Sequence, residues 1–173
     1  MGTFWSKIWG HSAADDIVDP ATGLTGREKR LVQSTWSIVS RDPVASGVAI
    51  MTLLLERHPE YQLMFPAFRD TPKAELAANK KFQAHCASII TALNSVIDAL
   101  NDEGLLEATL VAIGERHRRR GQTTEQFTNL KQVVMDTLRQ ALGTKFTEET
   151  EEAWKKTLDA AYTHLFRGLQ GST

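Results

Sequence analysis

Two stretches decide how this chain is read: Phe82-Gln83-Ala84-His85-Cys86-Ala87-Ser88-Ile89-Ile90-Thr91-Ala92-Leu93 and Leu110-Val111-Ala112-Ile113-Gly114-Glu115-Arg116-His117. In the first, His85 follows Phe82 by three residues and precedes Ile89 by four, which puts it on the apolar stripe of a helix. In the second, His117 follows Ile113 by four and Leu110 by seven, so it extends another stripe. A lone histidine on an apolar face is usually a satisfied core residue. Two of them, on separate amphipathic helices, point instead to ligands, because neutral imidazole is the commonest metal-binding side chain.

The rest of the donor set narrows the metal. Structural zinc asks for four ligands at close Cys/His spacing. Cys86 is the only cysteine, and it neighbours His85 on a helix, so the two side chains diverge. No carboxylate triad accompanies the histidines. A porphyrin brings four equatorial nitrogens of its own and asks the protein for one or two axial ligands and a flat apolar slot. The pattern fits that demand.

Outward from these stretches, the chain reads as helix after helix, with no convincing period-2 strand. The expected helices span about 25–40, 43–57, 59–65, 72–78, 79–101, 105–119, 124–142 and 147–169. Thr25 with Glu28 and Thr123 with Gln126 form capping-box patterns. Asp42-Pro43 and Thr71-Pro72 place a capping side chain before a proline at the first helical position. Thr147 precedes four glutamates suited to a helix N-terminus. Pro59, Gly104, Gly121 and Gly143 supply stops. The expected apolar faces are Leu31, Trp36 and Val39; Val44, Val48, Met51 and Leu55; Phe82, Ile89, Leu93 and Val96; and Leu106, Leu110 and Ile113.

With 173 residues, a single domain is expected. Lys+Arg 20 against Asp+Glu 21 leaves a net charge of −1, so no nucleic-acid surface is expected. The one local excess is Arg116, Arg118, Arg119 and Arg120 around His117, which reads as a solvated charge run or as partners for haem carboxylates or an acidic protein. One cysteine forbids an internal disulfide and favours a reducing compartment. No run reaches a membrane span, and no secretory leader is visible.

Taken in order and at their spacings, these residues resemble the globin family, over Leu31 to about Leu169. The first stretch is similar to the globin distal helix, with His85 in the distal place, and the second to the proximal helix, with His117 as iron ligand. Pro59-Glu60-Tyr61-Gln62-Leu63-Met64-Phe65-Pro66-Ala67-Phe68 resembles the corner where a phenylalanine, here Phe65, packs on haem. Trp36 and Trp154 match tryptophans of the first and last helices. The run Phe65-Pro66-Ala67-Phe68-Arg69-Asp70, then Thr71-Pro72 and Lys81-Phe82-Gln83-Ala84-His85, is similar to intracellular arthropod globins.

The resemblance implies an all-α globin fold, about eight helices in a sandwich around a pocket for haem b (iron protoporphyrin IX). Met51, Phe68 and Ile89 would line the distal side; Ile113, Phe127 and Leu130 the proximal and inner wall. Gly47 would let its helix cross the distal helix closely. Cys86 stands where the family usually has Gly or Ala, so a slightly wider crossing is expected. The implied function is reversible binding of oxygen and other diatomic gases for intracellular storage or diffusion, not an enzyme. His85 either hydrogen-bonds the gas or ligates the iron itself, the balance falling to the bis-histidyl state. The alternatives are a haem redox enzyme (nitric oxide dioxygenase, nitrite reductase or peroxidase-like) served by a partner reductase, and a membrane-attached gas or redox sensor.

Residues 1–24 read as an extension outside the core of the 25–173 globin domain. Met1-Gly2-Thr3-Phe4-Trp5-Ser6 fits the pattern for N-myristoylation of Gly2. Myristate alone holds a membrane weakly, and Phe4, Trp5, Ile8 and Trp9 could add interfacial anchoring. Asp15, Asp16 and Asp19 oppose an anionic surface. A cytoplasmic monomer or homodimer is the expectation, with this end read either as a peripheral membrane attachment or as a floppy or back-folded tail whose tryptophans cover the protein surface.

Overall fold

A computed structural model describes residues 13–171. The Gly2 motif and the N-terminal aromatic residues lie outside this range. Six α-helices carry the architecture: α1 (Gly26–Val39), α2 (Pro43–Arg57), α3 (Lys80–Asp98), α4 (Glu103–Arg118), α5 (Thr124–Leu142) and α6 (Glu148–Gln170). Turns of 3₁₀ helix at Pro59–Met64 and Lys73–Ala78 complete the eight expected segments, with shorter ones at Ala13–Asp16, Ala99–Asn101 and Gly143–Lys145. The six-residue pieces are 3₁₀ rather than α because so short a segment gains too few i→i+4 bonds to offset helix nucleation.

The caps explain most boundaries. Thr25 Oγ1 accepts from Glu28 N at 3.2 Å, and Glu28 Oε2 accepts from Thr25 N at 2.7 Å. The Thr123/Gln126 box closes in the same way. Asp42 accepts from Ala45 N with Pro43 beginning α2. Thr71 does not cap its helix as expected. Its hydroxyl accepts from Asn79 Nδ2 at 3.1 Å, and Asn79 caps α3 through Lys81 N and Phe82 N. Gly104 does not terminate α3 either. It lies in the first turn of α4, which starts earlier because Asp102 accepts from Leu105 N. Gly121 and Gly143 take φ of +77° and +51°, as stops should.

The buried faces differ from the expected stripes by about one position. Val32, rather than half-buried Leu31, joins Trp36 and Val39. Ile50 and Leu54 join Met51 and Leu55, while Val44 is exposed. On α3 the closed core takes Phe82, Cys86, Ile90, Val96 and Ile97. Ile89 and Leu93 are only half buried because they line a cleft.

The two tryptophans of the resemblance meet in the core, centroids 5.8 Å apart and tilted at 60°. Trp154 Nε1 donates to Thr35 Oγ1 at 3.0 Å and Trp36 Nε1 to Asn94 Oδ1 at 2.7 Å, so neither buried N–H is orphaned. The pair ties α6, α1 and α3 together. Helices α1 and α2 meet at 96°, so the layers cross steeply. No single described helix is long and apolar enough to cross a membrane.

Two helix crossings occur at backbone contact. A Cβ built on Gly47 of α2 would lie 2.2 Å from the Cys86 carbonyl oxygen of α3. Only glycine fits there, as expected, and the facing residue is Cys86 itself. The second crossing joins α4 to α6 at Gly114 and Gly168.

The expected boundary at residue 24 cuts through packed structure. Leu24 is fully buried, and Val18 pairs with Thr25 in an isolated bridge. Asp19 receives a hydrogen bond from Lys29 Nζ, and Asp15 pairs with Arg30 at 2.8 Å, so two of the three aspartates are committed to α1. Lys29 is buried, and its bond holds the Asp19 carboxyl below its ordinary 3.8. Asp19→Asn should therefore lower stability by about 2 kcal/mol, because it strands a buried ammonium. In the parent chain the contribution is complete above pH 3.8 and is lost as pH falls through the lowered Asp19 pKa. Urea midpoints of parent and variant should thus differ at neutral pH and converge in acid.

Candidate functional site

α3 and α4 carry the two histidines to one cleft. Its outer lobe, about 270 Å³, is lined by Met51, Phe65, Phe68, His85, Ile89, His117, Phe127 and Leu130. A deeper lobe of about 400 Å³ shares His85, Ile89, His117, Phe127 and Leu130 and adds Ile113. All nine residues expected at a pocket therefore line one or both lobes, and the deeper lobe's volume lies in the range of small-molecule sites.

Each imidazole is held. His117 Nδ1 lies 2.8 Å from the Ile113 carbonyl oxygen, one turn back on α4. That oxygen can only accept, so Nδ1 carries the proton and Nε2 keeps its lone pair. The sequence did not name this acceptor, because a backbone carbonyl has no residue signature. Phe127 sets its edge against the same ring, centroids 5.1 Å apart at 88°. On α3, His85 is braced by Phe65 at 4.9 Å and Phe68 at 5.9 Å, and those two phenylalanines stack on each other at 4.9 Å. Gln62 holds their loop by donating to the carbonyls of Phe68, Arg69 and Thr71.

The electrostatics keep both rings neutral. Burial pushes His85 below 6.5, and the charges of His117 and Arg120 act in the same direction. Burial also lowers His117, opposed by its bond to Ile113 and assisted by Arg120 and Arg116. Neutral imidazole is the form that ligates a metal.

Three features carried weaker sequence signals. Arg120 lines both lobes and Lys81 the outer one, placing one cation from the turn after α4 and one from α3 at the cleft. Of the arginine run, Arg116 reaches the deeper lobe, whereas Arg118 lies beside Gly171 at the C-terminal end of α6, where a cation is favourable. None of the four joins an ion pair among the described residues. Gln122 lines the outer lobe with its buried Oε1 unpartnered. Tyr162 lines the deeper lobe, its hydroxyl pKa raised by burial. Its position four residues after Leu158 on the α6 stripe was the available clue.

The donor set decides what metal group suits the cleft. Among the described residues, no three or more His, Cys, Asp or Glu side chains gather to hold an ion. Two imidazoles in an apolar cleft lack the remaining ligands of a protein-only site. They suit a metal that arrives with equatorial nitrogens, and the cationic mouth suits a group with carboxylates at one edge.

The globin family model matches residues 48–165, more than half of the chain. The chain belongs to the globin family. A hexacoordinate haemoglobin of Drosophila melanogaster is 32% identical, with a TM-score of 0.78, over 83% of this globin and 94% of that chain. Anaerobic nitrite reductase AHB2 of Arabidopsis thaliana is 28% identical over 146 residues, 83% of this globin and 89% of that protein. Extracellular globin-E1 of Artemia is 40% identical over 84 residues, 49% and 43% of the respective chains. Haem binding follows from family membership and fits the cleft.

If His117 is the principal ligand, His117→Gly should lose the haem absorption band and regain it when millimolar free imidazole fills the vacated space. His85→Gly should retain haem without added imidazole. Titration of the apoproteins with haem, followed in the visible spectrum, distinguishes the two.

Proposed function

We propose that this globin binds oxygen, and other diatomic gases, reversibly at the iron of haem b, with His117 as the proximal ligand and His85 as the sixth ligand when gas is absent. The observation that carries the reading is that two neutral imidazoles, on different helices, line the same two lobes of one apolar cleft. A haem seated there would supply the iron at which a gas binds.

The chain's own residues supply the rest. Ile113 O fixes the ring orientation of His117 and raises its basicity by accepting from Nδ1. Phe65 and Phe68 brace His85 and exclude water from it. Met51, Ile89 and Leu130 lower the local dielectric, which strengthens any hydrogen bond His85 donates. Arg120, Lys81 and Arg116 at the cleft walls are suited to haem carboxylates. The hexacoordinate Drosophila relative supports the sixth-ligand role of His85. A gas must then compete with His85, which lowers apparent affinity by the fraction of time the site is open.

The physiological reading is storage or facilitated diffusion of oxygen in the cytoplasm, by a monomer or homodimer. Reversible attachment to the inner face of a membrane through myristoylated Gly2 accompanies it, and the intact mass of protein from native cells tests that attachment. The plant relatives named as anaerobic nitrite reductases favour a second reading, a haem redox enzyme that takes electrons from a partner reductase. Sustained turnover with a cellular reductase would move the assignment to that class.

The visible spectrum of the ferric protein, then of the dithionite-reduced protein under nitrogen, tests the site. Sharp, split ferrous bands are expected, collapsing to one broad band in His85→Leu. A single broad band in the parent chain would remove His85 from the iron. No haem band after reconstitution would overturn the assignment of both histidines.

A further inference from the structure

His117 is referenced to α6 through a backbone lock one turn before it. A Cβ built on Gly114 would lie 2.3 Å from Leu165 O, 2.8 Å from Leu169 N and 2.9 Å from Gly168 Cα. A Cβ on Gly168 would lie 2.3 Å from Val111 O and 3.0 Å from Glu115 N. The contact is reciprocal, and every atom named belongs to the backbone. No side chain can rotate away to make room, so any added carbon must drive the helices apart by about 1 Å to reach ordinary contact.

The lock sits where it can act on the imidazole. Gly114 follows Ile113, whose carbonyl holds His117 Nδ1 at 2.8 Å. The hydrogen bond ties the ring to this turn of α4, and the two glycines tie the turn to α6. α6 is itself anchored in the core by Trp154, which donates to Thr35 of α1. On the other wall, Gly47 meets the carbonyl of Cys86, the residue after His85. Each histidine therefore stands within one turn of a glycine-mediated backbone contact.

We propose that Gly114 and Gly168 are positioning residues for His117, setting how far its Nε2 reaches into the cleft and so the strength of its bond to the iron. The proposal rests on the haem reading above. A glycine inside a helix has a poorer helix propensity than alanine, so each of the pair weakens its own helix. Their presence at these two facing positions is what the close approach requires. Gly104, also in α4, meets only the Asp102 carboxylate at 3.7 Å and provides the contrast on the same helix.

The test uses Gly168→Ala, Gly114→Ala and the control Gly104→Ala, each in the parent chain and in a His85→Leu background, where His117 alone bonds the reduced iron. Two quantities are read on the haem-loaded protein: the iron–histidine stretching band by resonance Raman, and the rate of haem transfer to excess apomyoglobin. Unfolding of each apoprotein is followed by circular dichroism. Both lock variants should shift the stretching band to lower frequency. They should also speed haem loss by about tenfold or more, the range expected when a group that orients a metal-bound histidine is disturbed. Gly104→Ala should match the parent in both. If the lock variants lose apoprotein stability but keep the parent's band and haem-loss rate, the glycines serve packing alone and the proposal fails. If Gly168→Ala does not fold, the same variant at lower temperature and Gly114→Ala carry the same readouts. A parent chain that takes up no haem would overturn the haem reading itself, an outcome distinct from unchanged variants of a haem-binding parent.

Discussion

Keeping two imidazoles neutral inside an apolar cleft is the constraint on which the rest of this structure depends. A histidine in water is protonated over part of the physiological range, and a protonated ring cannot ligate. Desolvation solves this only if the helices bearing the rings approach closely and the walls between them are apolar. Close approach in turn requires backbone contact at the helix crossings, and glycine at Gly47, Gly114 and Gly168 permits it. The cleft must nevertheless stay open enough to admit a flat group. Ile89, Leu93 and Ile113 are therefore only half buried, while Cys86 and Ile90, close by on α3 and outside the cleft lining, are fully buried.

The steep crossing of α1 and α2 and the Trp36–Trp154 pair form the frame around that cleft. The indoles bring bulk to the core, and each N–H finds a side-chain acceptor, so the frame carries no unsatisfied donor at its centre. The short 3₁₀ segments between α2 and α3 serve a different purpose. They swing Phe65 and Phe68 against His85, and Gln62 Nε2, donating to three carbonyls, keeps that loop in place without a longer helix.

Most of the fold was legible because local chemistry and global packing agree. Thr25/Glu28, Thr123/Gln126 and Asp42-Pro43 cap where their patterns say. Thr71-Pro72 carries the same local signal and fails, because Asn79 offers the next helix a better cap and recruits Thr71 to support it. Gly104 was misread because Asp102 starts α4 two residues early, and a glycine in a first turn resembles one after a last turn. The pocket residues were legible through periodicity and resemblance together. Ile89 and Leu93 were misplaced because periodicity locates an apolar face but does not separate residues facing a closed core from residues facing a cavity, whereas Leu31 and Val44 lie at the edge of their stripes, where Val32 and Ile50 take the core positions. The carbonyl of Ile113, the orphaned Gln122 and the Gly114–Gly168 contact were not legible, since each depends on which helices meet.

The chain's one thiol has a consequence for oxidation. Cys86 is fully buried against the α2 crossing, and burial pushes its pKa up to about 12. At neutral pH the thiol is overwhelmingly protonated, and the thiolate is the form that attacks peroxides and disulfides. The residue beside His85 is thus a chemically silent sulfur. Cys86 therefore serves the fold as a small apolar side chain at the α2 crossing rather than as a nucleophile.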